Sequence, residues 1–134
     1  MDAKTEVKDL AAEIGDCRNV LNALADETRL QLIAMMLHDH SSQGLRTADI
    51  ADKTDLSRPA VSHHLQILKA ADIVKVRREG TKTFYYFDGT DSIEELIALF
   101  THLRDIVEAL TSEAGSELAD KLAGSVDVPE ETVA

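Results

Sequence analysis

Residues 56–70, LSRPAVSHHLQILKA, decide the fold. Ser57 is a favoured N-cap, a residue whose hydroxyl can accept a backbone N–H of the first helical turn. Leu56 then falls at N′ and Val61 at N4, the two positions of a hydrophobic staple. Pro59 lies in the first turn, where its missing N–H has no intrahelical partner to lose. With Pro59 at N2, the Ser57 hydroxyl is expected to bond the Ala60 N–H. Val61, Leu65 and Leu68 repeat at helical spacing and form the inward stripe. Pro59, His63, Gln66 and Ala70 lie on the opposite face, with Ser62 beside them.

Upstream, Thr47 is placed to cap a short helix over Ala48–Lys53, with Ile50 and Ala51 turned inward. Two short helices joined by a three- or four-residue turn make a helix-turn-helix. Downstream, Ile73–Glu79 and Thr81–Phe87 are β-rich runs on either side of Gly80, which predicts a hairpin. A hairpin directly after a helix-turn-helix is a wing, here 73–87, with Arg77, Arg78 and Lys82 near its tip. The fold class is therefore mainly α with a small β-hairpin wing (α+β), a winged helix-turn-helix whose core is 45–87.

Flanking helices complete the pattern. Leu10, Ile14, Cys17, Leu21 and Leu24 follow a 4-3-4-3 spacing and predict one helix over 5–24. Asp26 is placed to cap a second helix with Leu30, Ile33, Ala34 and Leu37 inward. Residues 38–44 are polar and read as a loop. Ile93, Leu96, Phe100, Leu103, Val107 and Leu110 make a coiled-coil-like seam over 91–112. The small central domain cannot cover both terminal seams, so dimerisation through them is expected. The chain reads as one domain, 1–125, followed by a flexible acidic tail, 126–134.

Composition narrows the function. No apolar run approaches the ~20 residues of a membrane span, and no signal peptide is visible. A single cysteine allows no internal disulfide framework. The expected compartment is cytoplasmic. The net charge of −11 is segregated: residues 1–44 carry four basic and eight acidic side chains, 45–87 eight and five, 88–134 two and twelve. The central segment is thus the part suited to phosphates, and the acidic flanks must face away from them. No Gly-rich phosphate loop and no nucleophile with convergent partners is present, so no catalytic residue is assigned and an enzyme is not expected.

The segments ALADETRLQLI (23–33), ADIADKTDLSRPAVSHHLQILKAADIV (48–74) and VRREGTKTFYYF (76–87) resemble the ArsR/SmtB family of bacterial and archaeal repressors over residues 20–110. The resemblance implies a homodimer built on the first and last helices. It also implies binding of double-stranded DNA at an inverted repeat and release by an effector. In a helix-turn-helix the outward, N-terminal side chains of the second helix touch bases in the major groove. Those are Ser57, Arg58, Pro59, Ser62, His63 and Gln66. Arg58 can reach guanine with two donors and Gln66 can pair with adenine. Arg77, Arg78 and Lys82 would meet backbone or minor groove. His64, about 60° from the buried stripe, reads as structural.

The effector is less defined by sequence. The family's thiol sensors carry Cys-x-Cys before the recognition helix, and the matching positions here are Arg46-Thr47-Ala48, which offer no thiolate to a soft metal. The lone Cys17 reads as a core residue. The zinc sensors' last-helix pattern is also missing: Ser92 aligns with its Asp, and Glu94, Asp105 and Glu108 with its His and His/Glu ligands. These three acids, and His38 and His40 in the polar loop, are the candidates for a non-standard metal site. His102 stands alone on its helix. No cofactor is expected, and the leading effector is a small molecule or an unassigned cue. The alternatives are a metal-responsive sensor using that His/carboxylate site, or a winged-helix protein-interaction module without DNA binding.

Overall fold

A computed structural model of the chain describes residues 3–39 and 44–112, with 120, 122 and 123. The expected tail, 126–134, and His40 lie outside the described residues. The elements in order are α1 (Ala3–Asp16), α2 (Arg18–Leu24), α3 (Glu27–His38), α4 (Thr47–Asp52), α5 (Arg58–Ala70), β1 (Val74–Glu79), β2 (Lys82–Phe87) and α6 (Thr90–Thr111). They fall into two compact units, Cys17–Leu96 and residues 1–16 with 97–134.

In the unit Cys17–Leu96, Asp26 caps α3 as expected, accepting the Arg29 backbone N–H at 3.0 Å. That bond, with the charge of Arg29, holds the Asp26 carboxyl below its ordinary range. The buried stripe of α3 differs from the expected one. Arg29, Leu32 and Met36 are buried, whereas Leu30 and Leu37 are about half exposed (49% and 51%). An arginine in the stripe disguises it, because a side chain with a terminal charge reads as solvent-facing unless its donors are all satisfied inside.

Helix α4 corrects a second expectation. Arg46, not Thr47, is the N-cap, and its backbone N–H donates to the Asp49 carboxylate at 3.1 Å. Thr47 is the first helical residue. Thr54 then braces the turn into α5: its hydroxyl donates to the Ile50 carbonyl at 2.9 Å and accepts the Leu56 N–H at 3.2 Å.

The C-terminus of α5 is closed by a Schellman motif. The Ile73 N–H reaches the Leu68 carbonyl, and the Asp72 N–H the Lys69 carbonyl, each at 3.0 Å. Leu68 and Ile73, which the motif brings together, are both fully buried. Asp72 holds the left-handed position, φ 57°, that is usually glycine's. From the start of α6, buried Ser92 donates to the Ala71 carbonyl at 2.9 Å.

β1 and β2 pair antiparallel from Val74↔Phe87 to Glu79↔Lys82, around a two-residue turn with Gly80 at φ 62°. Leu45 extends the sheet, exchanging both backbone hydrogen bonds with Tyr85 at 2.8 Å. Its neighbour Gly44 lies against the same strand at φ 81°, where a Cβ would stand 2.6 Å from the Tyr85 carbonyl oxygen.

In the other unit, His102 Nδ1 of α6 lies 2.8 Å from Glu13 Oε1 of α1. The helix expected over 5–24 is interrupted at Cys17, which sits at φ −90°, ψ 4° and opens α2. Gly15 and Asp16, both poor helix formers, precede the break. Along α6, Leu99 and Ile106 are buried, while Phe100, Leu103 and Val107 of the expected seam stay 40–52% exposed.

Gly44→Ala and Gly15→Ala should move stability in opposite directions. The first forces an alanine into a left-handed conformation against a carbonyl and should cost about 1–3 kcal/mol. The second places alanine in a helix with nothing within 4 Å, and should gain up to about 1 kcal/mol. Urea unfolding midpoints compare the two; equal shifts would contradict this account of Gly44.

Candidate nucleic-acid interface

The cap and the stripe of α5 together determine which of its side chains meet solvent. Ser57 Oγ accepts the Ala60 N–H at 3.3 Å, and a proline occupies the first turn. Val61, Leu65 and Leu68 have no exposed surface. Ser57, Arg58, Pro59, His63 and Gln66 are consequently exposed and Ser62 is half-buried. The structure brings all six sequence-derived candidates of this helix onto its outer side and N-terminal end. Arg58, His63 and Gln66 make no side-chain hydrogen bond among the described residues. Their donors and acceptors face water, as they must to meet base edges in a groove.

The wing divides its cations into two kinds. Arg78 and Lys82 are exposed. Arg77 is half-buried and already engaged: its guanidinium lies 4.6 Å from the centre of the Phe84 ring, its cross-strand partner, and donates to Glu79 Oε2 at 2.7 Å. The same contact holds the Glu79 carboxyl below its ordinary range. Arg77 can therefore meet a phosphate only by sharing or leaving Glu79, whereas Arg78 and Lys82 need leave nothing of that kind.

Behind α5, Arg29 and His64 form a contact that sequence reading missed. Arg29 Nη1 lies 3.3 Å from His64 Nδ1, and the other guanidinium nitrogens reach carbonyls at the end of α2. The available signal was the pairing of Asp26 with an arginine three residues on, at a position where α3 needs to turn inward.

Among the described residues no three of His, Cys, Asp and Glu are grouped to hold an ion. Asp39, between His38 and His40, is paired with Lys53 Nζ at 3.0 Å. Glu94 is exposed on α6 within the unit Cys17–Leu96, and Asp105 and Glu108 are exposed on its later turns in the other unit. Ser92, at the position of the zinc sensors' aspartate, is buried and spends its hydroxyl on the Ala71 carbonyl. Cys17 is buried, with its thiol 3.8 Å from the Glu95 carbonyl. No helix of the described residues is long and apolar enough to cross a membrane.

Known proteins share this arrangement. A family model described as a helix-turn-helix domain matches residues 24–77. An HTH-type transcriptional regulator of Methanocaldococcus jannaschii is 38% identical over 84 residues, which is 63% of this chain and 90% of that protein. The transcriptional repressor SdpR of Bacillus subtilis is 33% identical over 82 residues, 59% of this chain and 87% of the repressor. The ArsR-like transcriptional regulator from Rhodococcus sp. RHA1 has the same fold, with a TM-score of 0.60 at 22% identity, covering 87% of this chain and 94% of that one. Motifs, wing and relatives agree: the chain belongs to the ArsR/SmtB family of winged helix-turn-helix transcriptional regulators, DNA-binding proteins rather than enzymes.

Proposed function

We propose that this protein is a cytoplasmic, homodimeric repressor that binds an inverted-repeat operator and is released by a small-molecule effector. The observation that carries the reading is the outer side of α5, where Arg58, His63 and Gln66 are exposed, together with a wing tip whose Arg78 and Lys82 are exposed too. Residues 45–87 have eight basic and five acidic side chains in a chain of net charge −11. Basic groups concentrated on the reading elements favour phosphate contact there and orient the acidic remainder away. Arg58, His63 and Gln66 supply base contacts, with Ser57, Pro59 and Ser62 at the same end of the helix.

A second copy is supported by apolar surface. Ile97, Phe100, Leu103 and Val107 of α6 remain 40–52% exposed, and Ile14 of α1 47%. Large apolar side chains grouped in this way on one helix mark an association surface. A dimer of identical reading units matches a palindromic site, with half-sites about one helical turn apart or a multiple of it. Repression accords with the relative named as a repressor. An effector other than a thiol-bound metal accords with Arg46-Thr47-Ala48, which offer no thiolate before the recognition helix.

Footprinting the DNA around the protein's own gene tests the reading, with a protected inverted repeat as the expected result. Protection no stronger than on random DNA would overturn it. On the protected fragment, Arg58→Ala should weaken binding by about 1–3 kcal/mol while leaving binding to random DNA nearly unchanged. Equal losses on both DNAs would take Arg58 off the base edges. Lys82→Ala should lower the slope of log affinity against log salt by roughly one unit. A slope equal to that of the wild type would remove Lys82 from the phosphate contacts.

A further inference from the structure

Arg29 is a nearly buried cation, 9% exposed, in the first turn of α3. Its Nε donates to the Ala23 carbonyl at 2.8 Å and its Nη2 to the Asn22 carbonyl at 3.1 Å. Both carbonyls belong to the last turn of α2, where the helix supplies few donors of its own. The remaining nitrogen, Nη1, lies 3.3 Å from His64 Nδ1 and 3.9 Å from Asp26 Oδ2. A guanidinium is a donor at every nitrogen and keeps its proton throughout the working pH range. The histidine nitrogen facing it must therefore be the acceptor, which places the ring proton on Nε2.

We propose that Arg29 is a positioning residue for DNA reading: it fixes His64 as the neutral Nε2–H tautomer and through that bond ties the middle of α5 to α2 and α3. The proposal rests on the reading of α5 as the recognition helix. His64 adjoins exposed His63, their ring centres 5.8 Å apart, so the bond braces α5 one residue from the groove-facing side. A second proton on His64 would put N–H against N–H and two positive charges 3.3 Å apart. The groups that face the ring are Arg29 and Asp26 from α3 and His63 on its own helix; α2 contributes its carbonyls through Arg29. Asp26 attracts the protonated ring, but its carboxylate already accepts the Arg29 N–H.

Long-range proton–nitrogen NMR of the full chain near neutral pH reads the tautomer directly. The expected result is His64 protonated at Nε2 alone; a proton on Nδ1 overturns the proposal. Two variants then read the function on the footprinted operator. His64→Gln keeps an oxygen acceptor that does not titrate, and should bind within about twofold of wild type near pH 7.5. His64→Leu offers no acceptor, and should bind roughly tenfold more weakly. Equal operator affinities for His64→Gln and His64→Leu overturn the positioning role. Absence of any footprint sinks the operator reading, while the tautomer spectrum still decides the Arg29–His64 bond.

Discussion

Val61, Leu65 and Leu68 give up all their contact with water, and their burial fixes the rotation of α5 about its own axis. Successive helical residues point about 100° apart, so a roll of one position would expose this stripe and bury His63 or Gln66. At about 1.5–3 kcal/mol for each large apolar side chain, the roll is strongly disfavoured. The rest of the reading surface depends on that constraint. Ser57 starts the helix at a defined residue, and the Schellman motif at Leu68–Ile73 ends it. The wing follows at once from Val74, so its cations keep a fixed distance from Arg58.

Much of this was legible before any coordinates. The cap, the staple and the stripe of 56–70 point to one answer, and such local agreement makes a segment readable. The hairpin was equally clear, because Gly80 separates two β-rich runs. The pattern misled where a polar group was satisfied inside the protein. Arg29 ends in a charge, and the expected stripe of α3 runs instead through Leu30 and Leu37, which are half exposed. Thr47 looked like a cap, but Asp49 supplies the carboxylate from within the helix. The interruption at Cys17 was invisible to periodicity, because the spacing of Leu10, Ile14, Cys17, Leu21 and Leu24 carries through it. Of the candidate site, the outward residues of α5 followed from helical phase alone. The engagement of Arg77 by Glu79 and Phe84 depends on strand register and could not be read off.

Charge is unevenly placed along this acidic chain. Its one basic region coincides with the elements that have exposed donors, and the sequence on either side of it carries the excess of carboxylates. Near the wing tip, Glu79 moderates the field by holding one of the three cations there. Nonspecific attraction scales with the number of free cations, so such pairing lowers affinity for random DNA more than for a site that offers base contacts as well.

Asp72 occupies a left-handed backbone position at the exit from α5, at φ 57°. A side chain there costs something on the order of 1 kcal/mol that glycine would avoid. Aspartate and glycine codons differ by one base, so a lineage carrying this protein is a single mutation from relieving the strain. Its charge does little to offset the cost, since the Lys75 pair at 3.3 Å is largely solvent-exposed. The turn between recognition helix and wing thus holds accessible thermodynamic headroom, on which substitutions that retune operator choice on α5 could draw without unfolding the domain.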